Sequence, residues 1–279
     1  MPNAPIAESW DIGRGVRGYA WRVPDARANL LLMHGFAEYA ERYVNHYSAL
    51  VPHLNALGFD VYAFDAEGHG RTPGTRGVAD IRRAVADHQA ARRILNAQAK
   101  SLFVFGHSLG GLIAAASVAE NADGVAGVVL SAPALLIEVP AHLRLIAKVS
   151  AVLAPSFRPL PAGPSDRISR IAAEVEAYDN DPMITALSIP SKVGATAMDV
   201  ADKAWTRYAN WTTPVLVFHG ARDELTDPKG SERFIAAIAA TDKQLELYPE
   251  GRHEILNDLD RDAALALLSN WLSTRAARG

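Results

Sequence analysis

Cysteine is absent from these 279 residues, which removes disulfides, thiolate metal sites and a cysteine nucleophile together. Any covalent chemistry must use another side chain. An excess of one charge is missing too: 28 basic against 31 acidic residues leave a formal balance of −3, with no basic stripe for nucleic acid and no acidic or low-complexity tail. No nucleic-acid partner is expected. No apolar run approaches the length of a membrane span. Met1-Pro2-Asn3-Ala4-Pro5 has neither the basic start nor the apolar stretch of a secretory signal. A cytoplasmic location is the expectation that follows. No internal repeat is visible, and the length fits one large domain or one domain carrying an insertion.

What the chain does contain is arranged around Leu102-Phe103-Val104-Phe105-Gly106-His107-Ser108-Leu109-Gly110-Gly111-Leu112-Ile113. Four apolar residues in a row suit a strand buried on both faces, and Ala114-Ala115-Ala116-Ser117 suits a helix packed close on a sheet. Between them lies Gly-x-Ser-x-Gly. With Gly and Ser each near 7% of residues, a chain of this length shows that pattern by chance roughly one time in ten. The strand before it and the helix after it supply the context that makes it a nucleophile elbow, with Ser108 strained and Gly106 and Gly110 bare.

Residues from about Ser9 to Val23 read as two antiparallel strands at a sheet edge. Apolar strands follow at Asn29–His34, Gly58–Asp65, Val125–Ala132, Pro214–Gly220 and Gln244–Pro249, with a helical stretch to Leu57 and helices over about Asp80–Ala97, from Ser231, and over Arg261–Ala276. Strand and helix alternate, so the sheet is mostly parallel, and ligands then sit at the carboxyl ends of its strands. His34, Asp65, Ser108 and Ser131 fall there.

The rhythm breaks between Pro133 and Thr213, where no strand can be read and prolines cluster at 155, 159, 161 and 164. Such an insertion is expected to be a helical cap over the strand ends. The division expected is residues 1–133 and 214–279 as the core, with 134–213 as the cap. Within it, His142 to Leu153 reads as a helix whose stripe Leu143, Ile146, Val149 and Leu153 can pack on the core. Leu145 and Val152 are then left for an acyl chain, a lipid surface or a second subunit.

A serine hydroxyl needs a histidine to take its proton and a carboxylate to fix that histidine's tautomer. His253 lies between the last strand and the last helix, over the strand ends. His34, His107 and His219 each sit in a glycine turn after a strand and are expected to be held by backbone hydrogen bonds. His46, His53, His88 and His142 read as ordinary surface or half-buried residues of helical stretches, and His69 as an anchor for its loop. The acid should lie between Ser108 and His253 on a strand-end loop. Asp223 comes first in Ala221-Arg222-Asp223-Glu224-Leu225-Thr226-Asp227, with Glu224 and Asp227 as surface or helix-capping alternatives. The oxyanion donors should be the backbone N–H groups of Leu109 and, after the Met33-His34 strand, Phe36.

With these pieces placed, the chain resembles the α/β-hydrolase superfamily, most of all its monoacylglycerol lipase and lysophospholipase-like (serine aminopeptidase S33-type) branch. The likeness rests on His34-Gly35-x-x-Glu38-x-x-x-Arg42-Tyr43, Asp65-x-x-Gly68-His69-Gly70, Gly106-His107-Ser108-Leu109-Gly110-Gly111, Leu130-Ser131-Ala132-Pro133 and Tyr178-x-x-Asp181-Pro182. It implies an α/β-hydrolase fold with a mostly parallel eight-stranded sheet and a helical cap after the sixth strand. It also implies Ser108, Asp223 and His253 as a triad, and Glu38, Arg42 and Tyr178 near the alcohol side of the ester. For Glu38 and Arg42, four apart, a loop-shaping ion pair weighs equally. Ala37, Tyr39 and Thr72 depart from the branch, which usually has glycine, histidine and serine there.

The activity expected is a cofactor-free, metal-free serine carboxylester hydrolase acting through an acyl-enzyme on a small-molecule ester with a short or medium apolar acyl chain and a compact alcohol. The rivals are C–C bond, amide or peptide hydrolysis on the same residues, and a binding protein that kept the fold without turnover. Monomer and homodimer both stay open.

Overall fold

The computed structural model describes residues 5–159, 164–185 and 188–277. The N-terminal Met1-Pro2-Asn3-Ala4 and Pro161, one of the prolines noted above, lie outside them. Eight strands form one sheet: β1 (Glu8–Trp10), β2 (Gly18–Trp21), β3 (Ala28–Met33), β4 (Phe59–Phe64), β5 (Ser101–His107), β6 (Val125–Ser131), β7 (Val215–Gly220) and β8 (Lys243–Tyr248). Their spatial order is β1-β2-β4-β3-β5-β6-β7-β8. The pairs β1/β2 and β2/β4 are antiparallel and all others parallel. The edge hairpin is as expected. In β3, β4 and β7 every residue is buried, as a parallel sheet covered on both faces requires.

Nine helices occur among the described residues: α1 (Arg42–Asn45), α2 (Leu50–Ala56), α3 (Ile81–Asn96), α4 (Leu109–Glu120), α5 (Ala141–Leu153), α6 (Ala172–Asn180), α7 (Ser191–Trp205), α8 (Pro228–Ala237) and α9 (Arg261–Ala276). One core lies under α3, α4, α7 and α8, the other under α1, α2 and α9. β5 stands near the middle, so its end is overlooked by the ends of β3, β6 and β7.

The helical stretch before Leu57 divides in two because Tyr47, Ser48 and Ala49 all take positive φ, 55°, 57° and 52°. Non-glycine residues hold that conformation only when tertiary contacts fix it. Here the Tyr47 amide donates to the Asn257 side chain and the Ser48 hydroxyl donates to the Leu256 carbonyl at 2.8 Å. Docking onto the loop that carries His253 therefore interrupts the helix.

The helical insertion follows β6 and behaves as two parts. α7 buries Val193, Ala197, Val200, Ala201 and Ala204 in the same core as α3 and α4, whereas α5 buries none of its residues. The stripe expected to pack on the core is instead open: Leu143, Ile146, Val149 and Leu153 are exposed, as are Leu145 and Val152. The half-buried side of α5 is Arg144, Ala147, Ser150 and Ala151; the last three are small and let it lie close to its neighbour, with Arg144 and Lys148 pairing with Asp202 at 2.6 Å and Asp199 at 3.2 Å on α7. No helix among the described residues is long and apolar enough to cross a membrane.

Candidate active site

Ser108 links the end of β5 to the start of α4 at φ 54° and ψ −120°. That strained turn projects the side chain away from both elements. It is possible only because the backbone is bare on either side: a Cβ on Gly106 would meet Gly110 O and Gly111 Cα, and one on Gly110 would meet the Met33 and His34 carbonyls of the neighbouring strand. Leu109 opens α4, where the first backbone N–H groups have no partner within the helix. Phe36 faces it from the loop after β3, and both line the same cavity as Ser108.

Asp223 follows β7 and His253 follows β8, and a 2.7 Å hydrogen bond joins His253 Nδ1 to Asp223 Oδ2. The other oxygen, Oδ1, accepts from the Leu225 and Thr226 amides at 2.8 and 3.0 Å. Both side chains are buried. Burial alone would raise the Asp223 pKa, but His253 and His219 outweigh it and hold this carboxyl well below the usual range. For His253 burial acts downward, and the Asp223 charge and hydrogen bond lift its pKa above the ordinary histidine value. Ser108 and His253 share the cavity wall without a hydrogen bond between them. Such contacts often close only when substrate binds. The two alternative acids are engaged elsewhere: Glu224 pairs with Arg167 at the surface, 3.2 Å away, and Asp227 caps α8 by accepting from the Lys229 amide at 2.9 Å.

Beneath the cavity lies a buried charge cluster whose extent was not visible in the sequence. Arg42 binds Glu254 through both terminal nitrogens, at 2.8 and 3.0 Å, and Glu38 at 3.0 Å. Glu38 also accepts from the Gly35 amide at 2.6 Å, from Tyr43 at 2.7 Å and from Tyr47 at 3.0 Å. The Glu38–Arg42 ion pair is therefore present, and Glu38 pins the loop that carries Phe36. Burial works to raise the pKa of both glutamates, but Arg42 prevails; it keeps Glu38 ionised and holds Glu254 at about 2. Replacing Arg42 by methionine should cost about 3–5 kcal/mol of stability, because two buried carboxylates lose their counter-charge. The depressed glutamate pKa gives stability that is present above the unfolded value of about 4.3 and lost as pH falls through about 2. Urea titrations of the two proteins should thus differ most at neutral pH and converge in acid. Equal midpoints at pH 7 would mean that the cluster contributes nothing.

The cavity measures about 420 Å³, within the range of small-molecule sites, roughly 300–1,000 Å³. Leu136, Ile137, Ile189, Val193, Ala197 and Leu225 give it an apolar wall, and Glu38, His107, Tyr178 and Glu254 a polar corner. Tyr178 is buried, and among the described residues its hydroxyl has no partner. Arg42 does not line the cavity. It stands behind, with its guanidinium 5.0 Å from the Tyr178 ring centre. Tyr39, one of the departures from the branch, donates to Asp181 at 2.8 Å and so ties its loop to the insertion without entering the cavity wall.

The histidines divide differently from the expectation. His34 is held by backbone, with Nδ1 2.7 Å from the Gly35 carbonyl and Nε2 accepting from the Ala66 amide. His69 does anchor its loop, through the Glu67 carbonyl at 2.9 Å. His107 instead meets the Ser131 hydroxyl at 3.2 Å and lies 4.8 Å from the His253 ring centre. Burial, with the His253 charge adding to it, pushes its pKa down to about 4. His88 is fully buried against Ser117 at 2.8 Å, so it is not a surface residue. His219 has one backbone contact, the Thr226 carbonyl 3.3 Å from its Nε2, and in addition meets Asp223 itself at 3.0 Å. The available signal was its spacing, four residues before Asp223 on a fully buried strand.

A family model described as serine aminopeptidase, S33, matches residues 24–260. The chain is 34% identical over 257 residues to the monoacylglycerol lipase of Mycolicibacterium smegmatis, covering 89% of each protein. It is 28% identical over 262 residues to human monoglyceride lipase, covering 90% of this chain and 84% of the relative. Among solved structures, the monoacylglycerol lipase of Paleococcus ferrophilus superposes with a TM-score of 0.83 at 30% identity, over 93% of this chain and 99% of that one. With an eight-stranded sheet, an elbow serine and a helical insertion after the sixth strand, the chain belongs to the α/β-hydrolase superfamily, in its serine aminopeptidase S33, monoacylglycerol-lipase-like branch.

Proposed function

We propose that the chain is a serine carboxylester hydrolase whose triad is Ser108, His253 and Asp223 and whose substrates resemble monoacylglycerols. The observation that carries this reading is the buried Asp223–His253 pair opening onto the same cavity as the elbow serine. Ser108 Oγ attacks the ester carbonyl while His253 Nε2 takes its proton, and the Phe36 and Leu109 N–H groups receive the developing oxyanion. The intermediate collapses as the alcohol leaves with the proton from His253. Water then attacks the acyl-enzyme, gives a proton to His253, and releases the acid as Ser108 recovers its hydrogen. Asp223 stays ionised throughout and holds His253 with Nδ1 protonated.

The apolar wall suits an acyl chain and the polar corner a small hydroxylated alcohol, for which the Tyr178 hydroxyl, without a partner among the described residues, is the donor. The insertion over residues 134–213 acts as the cap, with α5 outside both cores and α7 packed into one of them. The open apolar residues of α5 meet the lipid that presents such substrates. Several relatives are named monoacylglycerol or monoglyceride lipases, which supports the substrate class.

The test is a panel of p-nitrophenyl esters of graded chain length run beside monoacylglycerols, aryl and phthalate monoesters, and aminoacyl anilides. Monoacylglycerols and medium-chain esters should give the highest kcat/KM. Faster turnover of aminoacyl anilides would replace the ester reading with a peptidase one. Inert esters throughout would point to a binding protein.

A further inference from the structure

We propose that His219 is a positioning residue for the acid of the triad, supplying Asp223 with a second imidazole N–H. The proposal rests on the triad reading above and adds a residue to it. His219 is fully buried near the end of β7. Its Nε2 lies 3.0 Å from Asp223 Oδ2, 3.1 Å from Thr226 Oγ1 and 3.3 Å from the Thr226 carbonyl, while Nδ1 lies 2.7 Å from the Ser231 hydroxyl of α8.

Those partners fix the tautomer. An ionised carboxylate and a carbonyl can only accept, so Nε2 must carry the hydrogen, and Ser231 donates to the bare Nδ1. Asp223 Oδ2 therefore receives an N–H from each of two histidines, with the Thr226 hydroxyl 2.8 Å from it and 3.0 Å from the Ala132 carbonyl, while Oδ1 receives two backbone amides. N–H donors on both oxygens hold the carboxylate against rotation away from His253.

The second consequence is a tuning of His253. A carboxylate that shares its charge with another donor attracts a proton on His253 less strongly. The other charged and titratable groups facing His253 are His107 at the end of β5, Glu38 from the loop after β3, and Glu254 beside it, with Arg42 of α1 balancing both glutamates. Against that fixed background, loss of the His219 donor leaves Asp223 more basic and makes His253 easier to protonate.

Two donor-less variants, His219→Leu and His219→Met, and the conservative His219→Gln test this. A glutamine amide can donate to Asp223 from nearly the position of Nε2 and accept from Ser231. In the donor-less variants kcat should fall roughly ten- to hundredfold, and the acid limb of kcat/KM should move to higher pH by about half a unit or more. His219→Gln should restore both. Folding is followed by circular dichroism, and each protein is also treated with a fluorophosphonate. Label on Ser108 with an unmoved acid limb overturns the role of His219 alone, whereas label on another residue overturns the triad reading beneath it. If neither donor-less variant folds, ¹⁵N-histidine NMR of the unaltered protein decides: protonation of His219 at Nε2 upholds the proposal, and protonation at Nδ1 overturns it.

Discussion

Ser108→Ala should lower kcat for ester hydrolysis by about 10⁶-fold, because members of a serine triad act as a unit and the loss of the nucleophile removes nearly all of its contribution. The fold should survive. Alanine meets the same φ of 54° that serine already tolerates, and among the described residues the Ser108 hydroxyl makes no hydrogen bond that alanine would forfeit. A fluorophosphonate should label the unaltered protein once, with the adduct on the peptide carrying Ser108, and leave the variant unlabelled. Turnover retained by a folded Ser108→Ala protein would remove the acyl-enzyme reading altogether. The residual rate expected, some 10³- to 10⁴-fold over water, belongs to the oxyanion donors and to binding.

The elements that carry the candidate site could be read from sequence because each announces itself locally. The elbow needs glycines at fixed offsets, and the buried strands are unbroken apolar runs whose turns mark the strand ends. That set of loops brings Ser108, Asp223 and His253 to one face whatever fills the rest of the chain. Longer-range facts behaved differently. Whether Glu38 and Arg42 were substrate ligands or an ion pair depended on Glu254, 212 residues beyond Arg42, and no periodicity links the two. Likewise the break at Tyr47, Ser48 and Ala49 is imposed by contacts with Leu256 and Asn257, against the local preference for continuing the helix.

The error over α5 has the same origin. An apolar stripe at helical spacing ordinarily marks a buried face, but it says nothing about what the opposite edge will find. The small residues Ala147, Ser150 and Ala151 form the half-buried side of α5, Arg144 and Lys148 meet Asp202 and Asp199 of α7 at its edge, and the apolar stripe is left outside. For His219, burial was legible in the strand and the partner was not. A histidine in a glycine turn can satisfy either backbone or side chain, and only the fold brings Asp223 round to meet it.

Asp223→Asn should lower kcat by about 10⁴-fold, and the hydrogen bonds on this carboxylate explain why a change of one atom has that effect. Oδ1 accepts two backbone amides, from Leu225 and Thr226, so the asparagine must keep its oxygen there. Its NH₂ then occupies the place of Oδ2, facing the N–H groups of both His253 and His219. Donor would meet donor. His253 relieves the conflict by moving its hydrogen to Nε2, and the nitrogen that should receive the Ser108 proton is no longer free. The pH profile carries a second signature with a definite sign. In the unaltered protein the Asp223 charge overcomes burial and raises the pKa of His253, so the acid limb of kcat/KM should lie above the ordinary histidine value of about 6.5. Without that charge burial prevails, and the limb of the variant should move to lower pH even as the plateau falls. Glu224→Gln and Asp227→Asn provide the contrast. The first alters an exposed ion pair with Arg167, the second exchanges one good helix cap for another, and neither should change kcat by more than about twofold. Comparable losses in all three variants, or an acid limb that stays in place in Asp223→Asn, would dissociate this carboxylate from the chemistry at Ser108.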